Sequence, residues 1–210
     1  MNHEPETSTR KVILSMLKTQ GPLSVHDMSK QLGITEMAVR RHINSLEKDS
    51  LIEAKIVRQA MGRPTSVYSL TPIADELFPK KYMQLTVDLL GELLEDEGQE
   101  KIDHLFERRQ EKLELRYKAR MKAGSLEERV AELAHIQNEN GYMVQWSQLG
   151  DGEFMLSEHN CPITQVANLF QQACKCELSL FQNLLDANVE RTECLSKGGS
   201  KCVYMIRQNK

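Results

Sequence analysis

The chain has 210 residues, 40% of them hydrophobic and 27% charged, the composition of an ordinary soluble globular protein with room for one large domain or two small ones. No run approaches the roughly 18 apolar residues of a membrane span, and the polar start MNHEPETSTR lacks the apolar core of a secretory signal, so a cytoplasmic protein without membrane contact is expected. The net charge of −3 hides an asymmetry: residues 1–82 carry +3 and the remainder −6, which places any nucleic-acid contact at the N-terminal end.

The first 82 residues divide into three helices and a hairpin. TRKVILSMLKTQ has Val12, Ile13, Met16 and Leu17 at helical spacing and stops at Gly21-Pro22. SVHDMSKQL follows, with Ser24 as cap, an apolar stripe of Val25, Met28 and Leu32, and Gly33 as terminator. Thr35 caps a third helix after a short turn, the helix-turn-helix order. On that third helix Val39, Ile43 and Leu46 form the inward face. Met37, Arg40, Arg41, Asn44 and Ser45 lie opposite, beside the capping Thr35, as the surface expected to read double-stranded DNA. LIEAKIVRQAMGRPTSVYSLT then alternates as two strands about Gly62-Arg63-Pro64, a wing that would set Arg63 against phosphate or a minor groove. A protein-interaction module with a basic helix face is the alternative. LGITEMAVRRHINSLEKDSLI followed by GRPTSVYSLT resembles the winged helices of DeoR- and ArsR-like bacterial transcriptional regulators.

Residues 83–140 read as a helical linker with Gly98 as the joint between two helices. Past that joint Ile102, Leu105, Phe106, Leu113 and Tyr117 make a stripe that a second copy of the chain could cover, so a homodimer is expected; packing on the chain's own C-terminal domain is the alternative. Ser125 with Glu128 signals one more helix, ended by Asn140-Gly141.

Residues 141–210 read as a small α+β domain of ββαββ order, the sensor of an α+β protein whose other parts are the winged helix and the helical linker. Its hairpins turn at Gly150-Asp151-Gly152 and Lys197-Gly198-Gly199. Trp146 is expected in the core, and His159 at the surface or as a cap, with metal ligation the lesser reading.

All five cysteines fall in this domain: Cys161, Cys174, Cys176, Cys194 and Cys202. An odd number of thiols in a cytoplasmic chain does not make a disulfide framework. Pro162 places Cys161 at a helix N-terminus, where the dipole favours a thiolate. A straight helix from Cys161 to Cys174 would hold them about 20 Å apart. A common site therefore demands a break between about Phe170 and Lys175, although no Gly or Pro marks one. Cys174 and Cys176 diverge on a helix, so one of them is the ligand candidate beside Cys161, Cys194 and Cys202. Spacing alone leaves an iron–sulfur cluster, zinc and no metal all open; the C-x2–4-C pairs usual for zinc are absent. No catalytic motif is present, and an enzyme is not expected.

SLEERV, NGYMVQW, EHNCP, VERTEC and CVYMI together resemble the iron–sulfur-sensing repressors of the Suf cluster-assembly operon. The resemblance implies that a C-terminal cluster, [4Fe–4S] or [2Fe–2S], is held by cysteines, and that the loaded dimer binds promoter DNA. Cys161 and the twelve-residue gap to Cys174 match that family's pattern. The last hairpin also looks like the end of small-molecule-binding domains of the vinyl-reductase type, which leaves an organic ligand as a second signal.

Overall fold

A computed structural model describes residues 8–58, 63–121 and 124–209. The chain divides into two compact units, residues 1–80 and 81–210.

The first unit opens with α1 (Thr9–Gln20), a two-residue strand β1 (Leu23–Ser24), α2 (Val25–Leu32) and α3 (Glu36–Lys48). Local chemistry sets the boundaries. The Ser24 hydroxyl accepts from the Asp27 N–H at 3.2 Å while the Asp27 carboxylate accepts from the Ser24 N–H at 3.1 Å, a reciprocal cap on α2. Gly33 ends α2 at φ 66°, a left-handed conformation that costs glycine little. Thr35 caps α3 by accepting from the Ala38 N–H at 3.2 Å. Strands β2 (Ile52–Val57) and β3 (Thr65–Leu70) pair antiparallel from Ile52–Leu70 to Val57–Thr65, and β1 adds to β3. Ile13, Met28, Val39, Ile43, Leu46 and Ile52 fill the core beneath.

The second unit starts with α4 (Tyr82–Glu97) and α5 (Gln99–Lys118), which meet at Gly98 with φ 80°. Next comes α6 (Leu126–Glu139), capped by the reciprocal Ser125–Glu128 pair. A four-stranded antiparallel sheet then forms in the order β4 (Val144–Gly150), β5 (Glu153–Glu158), β7 (Cys202–Gln208), β6 (Ala187–Glu193). Between β5 and β6 lie α7 (Thr164–Leu169) and α8 (Gln172–Leu185). The ββαββ order expected from sequence is the order found, with the helical part in two pieces.

The helices of residues 83–140 do not form a region of their own. Ile102 and Phe106 of α5 and Val130, Leu133 and Ile136 of α6 join one core with Leu156, Phe181, Tyr204 and Ile206. The stripe on α5 is therefore covered largely by the chain's own C-terminal part, with Leu105 left 38% exposed. Trp146 is half-buried rather than central and leans on Phe154, with ring centroids 6.1 Å apart.

Candidate DNA-reading face and thiol cluster

On α3 the residues expected to face DNA separate into two groups. Met37, Arg40, Arg41 and Asn44 are exposed, and Arg41 stands beside Ala38 and His42 at a shallow concavity. Arg40 lies 3.8 Å from Glu36, an exposed pair one turn apart, and Glu36 also meets His26 at 3.1 Å. Such pairs are weak enough for a phosphate to displace. Thr35 spends its hydroxyl on the cap. Ser45 departs from expectation: it is half-buried, and its hydroxyl accepts from Arg10 of α1, which also bonds Asp49 at 2.6 Å. The helical wheel counted Ser45 as outward because it could not see that α1 packs along that edge of α3. Arg63 is exposed just before β3, while Gly62 lies outside the described residues.

The helix break inferred from cysteine spacing is present. α7 stops at Leu169, Phe170 leaves helical geometry at φ −119° and ψ 85°, and α8 begins at Gln172. Neither Gly nor Pro makes this break. Phe170 turns out of the helix to stack on Phe106, with ring centroids 6.4 Å apart, and is buried there. Burial of an aromatic ring of this size outweighs the lost helical hydrogen bond.

The break brings Cys174, in the first turn of α8, against the turn between β6 and β7. The Ser196 hydroxyl there lies 3.3 Å from Cys174 Sγ and 3.2 Å from Cys194 Sγ. Cys202 opens β7, and its sulfur accepts from the Leu195 N–H at 3.4 Å. Cys161 sits in the turn before α7, close enough to Cys174 for their charges to interact. Cys176 lies elsewhere, lining a pocket with Arg109 and Leu113 of α5. Of the two candidates, Cys174 is therefore the one that faces Cys194. His159 is exposed.

Environment divides the thiols. Burial pushes Cys161 up to about 11 and Cys202 up to about 12. Burial also raises Cys174, against the hydrogen bond from Ser196. For Cys194 burial is outweighed by the Ser196 hydroxyl, the Arg191 charge, the Ser196 N–H and the Cys202 thiol, and its value falls. The thiolate expected at Cys161 from a helix dipole is not favoured, because α7 spans only six residues and starts at Thr164. One N–H, from Ile163, reaches that sulfur.

Behind the thiols lies a buried polar network with no counterpart in the sequence reading. Glu158, 1% exposed, accepts from Gln137 at 2.8 Å and stands 3.4 Å from the Tyr204 hydroxyl. Glu177 accepts from the same hydroxyl at 2.8 Å, and Arg191 donates to the Cys174 carbonyl at 2.8 Å. Burial raises both carboxyls; the Glu177 charge raises Glu158 further, while hydrogen bonds from Tyr204 and Tyr142 and the charge of Arg191 oppose the rise at Glu177.

In kind, the donor set suits a thiolate-ligated group: four cysteines from three chain segments, none in a disulfide, with a cation beside them. Among the described residues, no three His, Cys, Asp or Glu side chains already stand at metal-holding geometry. The thiols are gathered without being closed on a centre. Nearby, Met83, Leu90, Leu105, Phe106, Ile163 and Val166 line an apolar cleft of about 300 Å³.

Residues 9–58 match the family model of a helix-turn-helix domain. The N-terminal unit is a helix-turn-helix domain followed by a β-hairpin wing. No curated protein matches the chain. Solved structures similar to parts of it include the adhesin competence repressor AdcR from Streptococcus pyogenes, 26% identical over 44% of this chain and 69% of that one, TM-score 0.31. A point mutant of ZitR from Lactococcus lactis is 25% identical over 54% and 80%, TM-score 0.29. PadR from Bacillus subtilis, in complex with operator DNA, is 13% identical over 87% and 98%, TM-score 0.31. Among the described residues no helix is long and apolar enough to cross a membrane.

Proposed function

We propose that the protein is a dimeric transcriptional repressor that senses iron–sulfur status through a cluster held by Cys161, Cys174, Cys194 and Cys202, and that it acts on cluster-assembly genes. The observation that carries this reading is the approach of Cys174 and Cys194 to one hydroxyl, with the Cys202 sulfur held to the same turn by the Leu195 N–H, through a helix break that no local signal requires. When bound, a cluster supplies an oxidation-sensitive link among the four thiolates.

The chain's own residues provide the route outward. Cys161 precedes α7, and α7 packs against both the Leu195–Lys197 turn and α4. On α4, Tyr82, Leu85 and Leu89 are 68%, 56% and 61% exposed at helical spacing, an apolar stripe suited to a second copy of the chain. Fixing Cys161 against Cys174 and the β6–β7 turn fixes α7, and with it the helix that carries the stripe. Dimer geometry sets the separation of two recognition helices, which on B-DNA must span half-sites about 34 Å apart. A sensor coupled to that stripe thereby controls operator affinity.

The test is binding of the purified protein to promoter DNA of cluster-assembly genes, with the cluster present and after its removal. The reading requires tighter binding with the cluster. Equal affinity in the two states would refute it. A second reading is favoured by the apolar cleft beside α7: the same helix could report an apolar organic ligand, in which case DNA affinity would follow that ligand and not iron.

A further inference from the structure

We propose that Ser196 is the positioning residue of the thiol site, holding Cys174 and Cys194 together as a preformed ligand pair and giving its hydroxyl hydrogen to one of their sulfurs. The inference rests on the cluster reading for its consequence, though not for its geometry.

That geometry begins with the turn. The Lys197 and Gly199 N–H groups both return to the Cys194 carbonyl, at 3.1 and 3.0 Å, and the Gly198 N–H to Leu195 at 3.1 Å. The Glu193 carboxylate closes the other side, accepting from the Ser200 N–H at 2.7 Å, the Ser200 hydroxyl at 3.0 Å and the Lys201 N–H at 3.2 Å. Gly199 makes the closure possible, since a Cβ there would lie 2.8 Å from the Cys194 carbonyl oxygen and 2.8 Å from Glu193 Cγ. A turn tied at so many points fixes the Ser196 side chain in one place.

From that place the hydroxyl meets three groups. Gln171, in the break between α7 and α8, donates to it at 3.4 Å while also donating to the Ala167 carbonyl at 3.0 Å. The two sulfurs lie on its other sides, at 3.3 and 3.2 Å. A hydroxyl has one hydrogen and two lone pairs, so Gln171 and one thiol S–H can donate to it while it donates to the other sulfur. Once both sulfurs are thiolates, the single hydrogen goes to one of them. A donor on a ligating sulfur stabilises the extra charge of a reduced cluster and raises its potential.

The experiment compares wild type, S196A and S196T as full-length protein reconstituted anaerobically with iron and sulfide. S196A is expected to lose its cluster to a chelator about tenfold faster and to show a more negative midpoint potential, with S196T restoring both. Identical loss rates and potentials in wild type and S196A would overturn the proposal. A parallel arm uses apoprotein with phenylarsine oxide, which is held by two thiols close to one another. S196A should bind it severalfold more weakly, with C176S unchanged and S196T restoring the affinity. Unchanged affinity in S196A would overturn the positioning role by itself. If wild type takes up no cluster, the functional reading fails while this second arm still decides the role of Ser196.

Discussion

Tyr204 donates its hydroxyl to Glu177 across 2.8 Å inside the second unit, and that hydroxyl also stands 3.4 Å from Glu158. One phenol thus stands between a buried carboxyl, Glu158, and a half-buried one, Glu177, and the Phe181 ring packs on it with centroids 4.8 Å apart. Removing the hydroxyl in Y204F takes a donor from Glu177 and a polar neighbour from Glu158. A loss of about 1–3 kcal/mol in stability is expected, read from urea denaturation.

The same pair predicts a pH dependence. Burial raises Glu158 and Glu177 above the ordinary glutamate value of 4.5, so the folded chain holds protons that the unfolded chain releases. Their contribution is complete below 4.5 and is lost as pH rises through the folded-state values. Asp27 and Glu114, lowered by their hydrogen bonds to Ser24 and Lys118, have the opposite sign, and their contribution is lost toward acid. Urea denaturation at a series of pH values above 4.5 should show these carboxyls' contribution falling as pH rises in the apoprotein, with a shallower fall in E158Q. Parallel slopes would contradict this assignment.

The two neighbouring cysteines of α8 should behave differently. C174S is expected to abolish stable iron binding, and C176S to retain it, in iron and sulfide assays of anaerobically reconstituted protein. The reverse result would mean that α8 rotates on loading.

On the recognition helix, R41A and N44A should each weaken operator binding by about 1–3 kcal/mol. R63A should lower affinity for all sequences and reduce the salt slope by about 1. S45A should leave the base preference unchanged and destabilise the first unit, because its hydroxyl serves Arg10.

The exposed stripe of α4 predicts that L85E combined with L89E yields a monomer by size-exclusion chromatography with light scattering. The isolated monomer should bind a single half-site and lose the affinity gained from two.

What was legible in the sequence was mainly local. Ser24, Thr35 and Ser125 announced helix starts because a cap is decided within four residues, and Gly98 marked its joint because φ 80° favours glycine. The break near Phe170 was reached indirectly, from the distance a continuous helix would impose on Cys161 and Cys174; its cause, the Phe170–Phe106 contact, spans 64 residues and leaves no local mark. Ser196 and the Glu158–Glu177 pair were invisible for the same reason. Strand register brings Glu158 opposite Cys202, and nothing near either residue encodes that pairing. Ser45 was misplaced because a helical wheel shows one helix and not its neighbour.

The proposed role of these thiols is to hold a cluster. The most direct measurement is the visible spectrum, with iron and acid-labile sulfide counts, of full-length protein purified without oxygen. A broad visible absorption that bleaches in air is expected, with iron and sulfide in equal amounts. A colourless protein, with stoichiometric zinc or no metal, would contradict it.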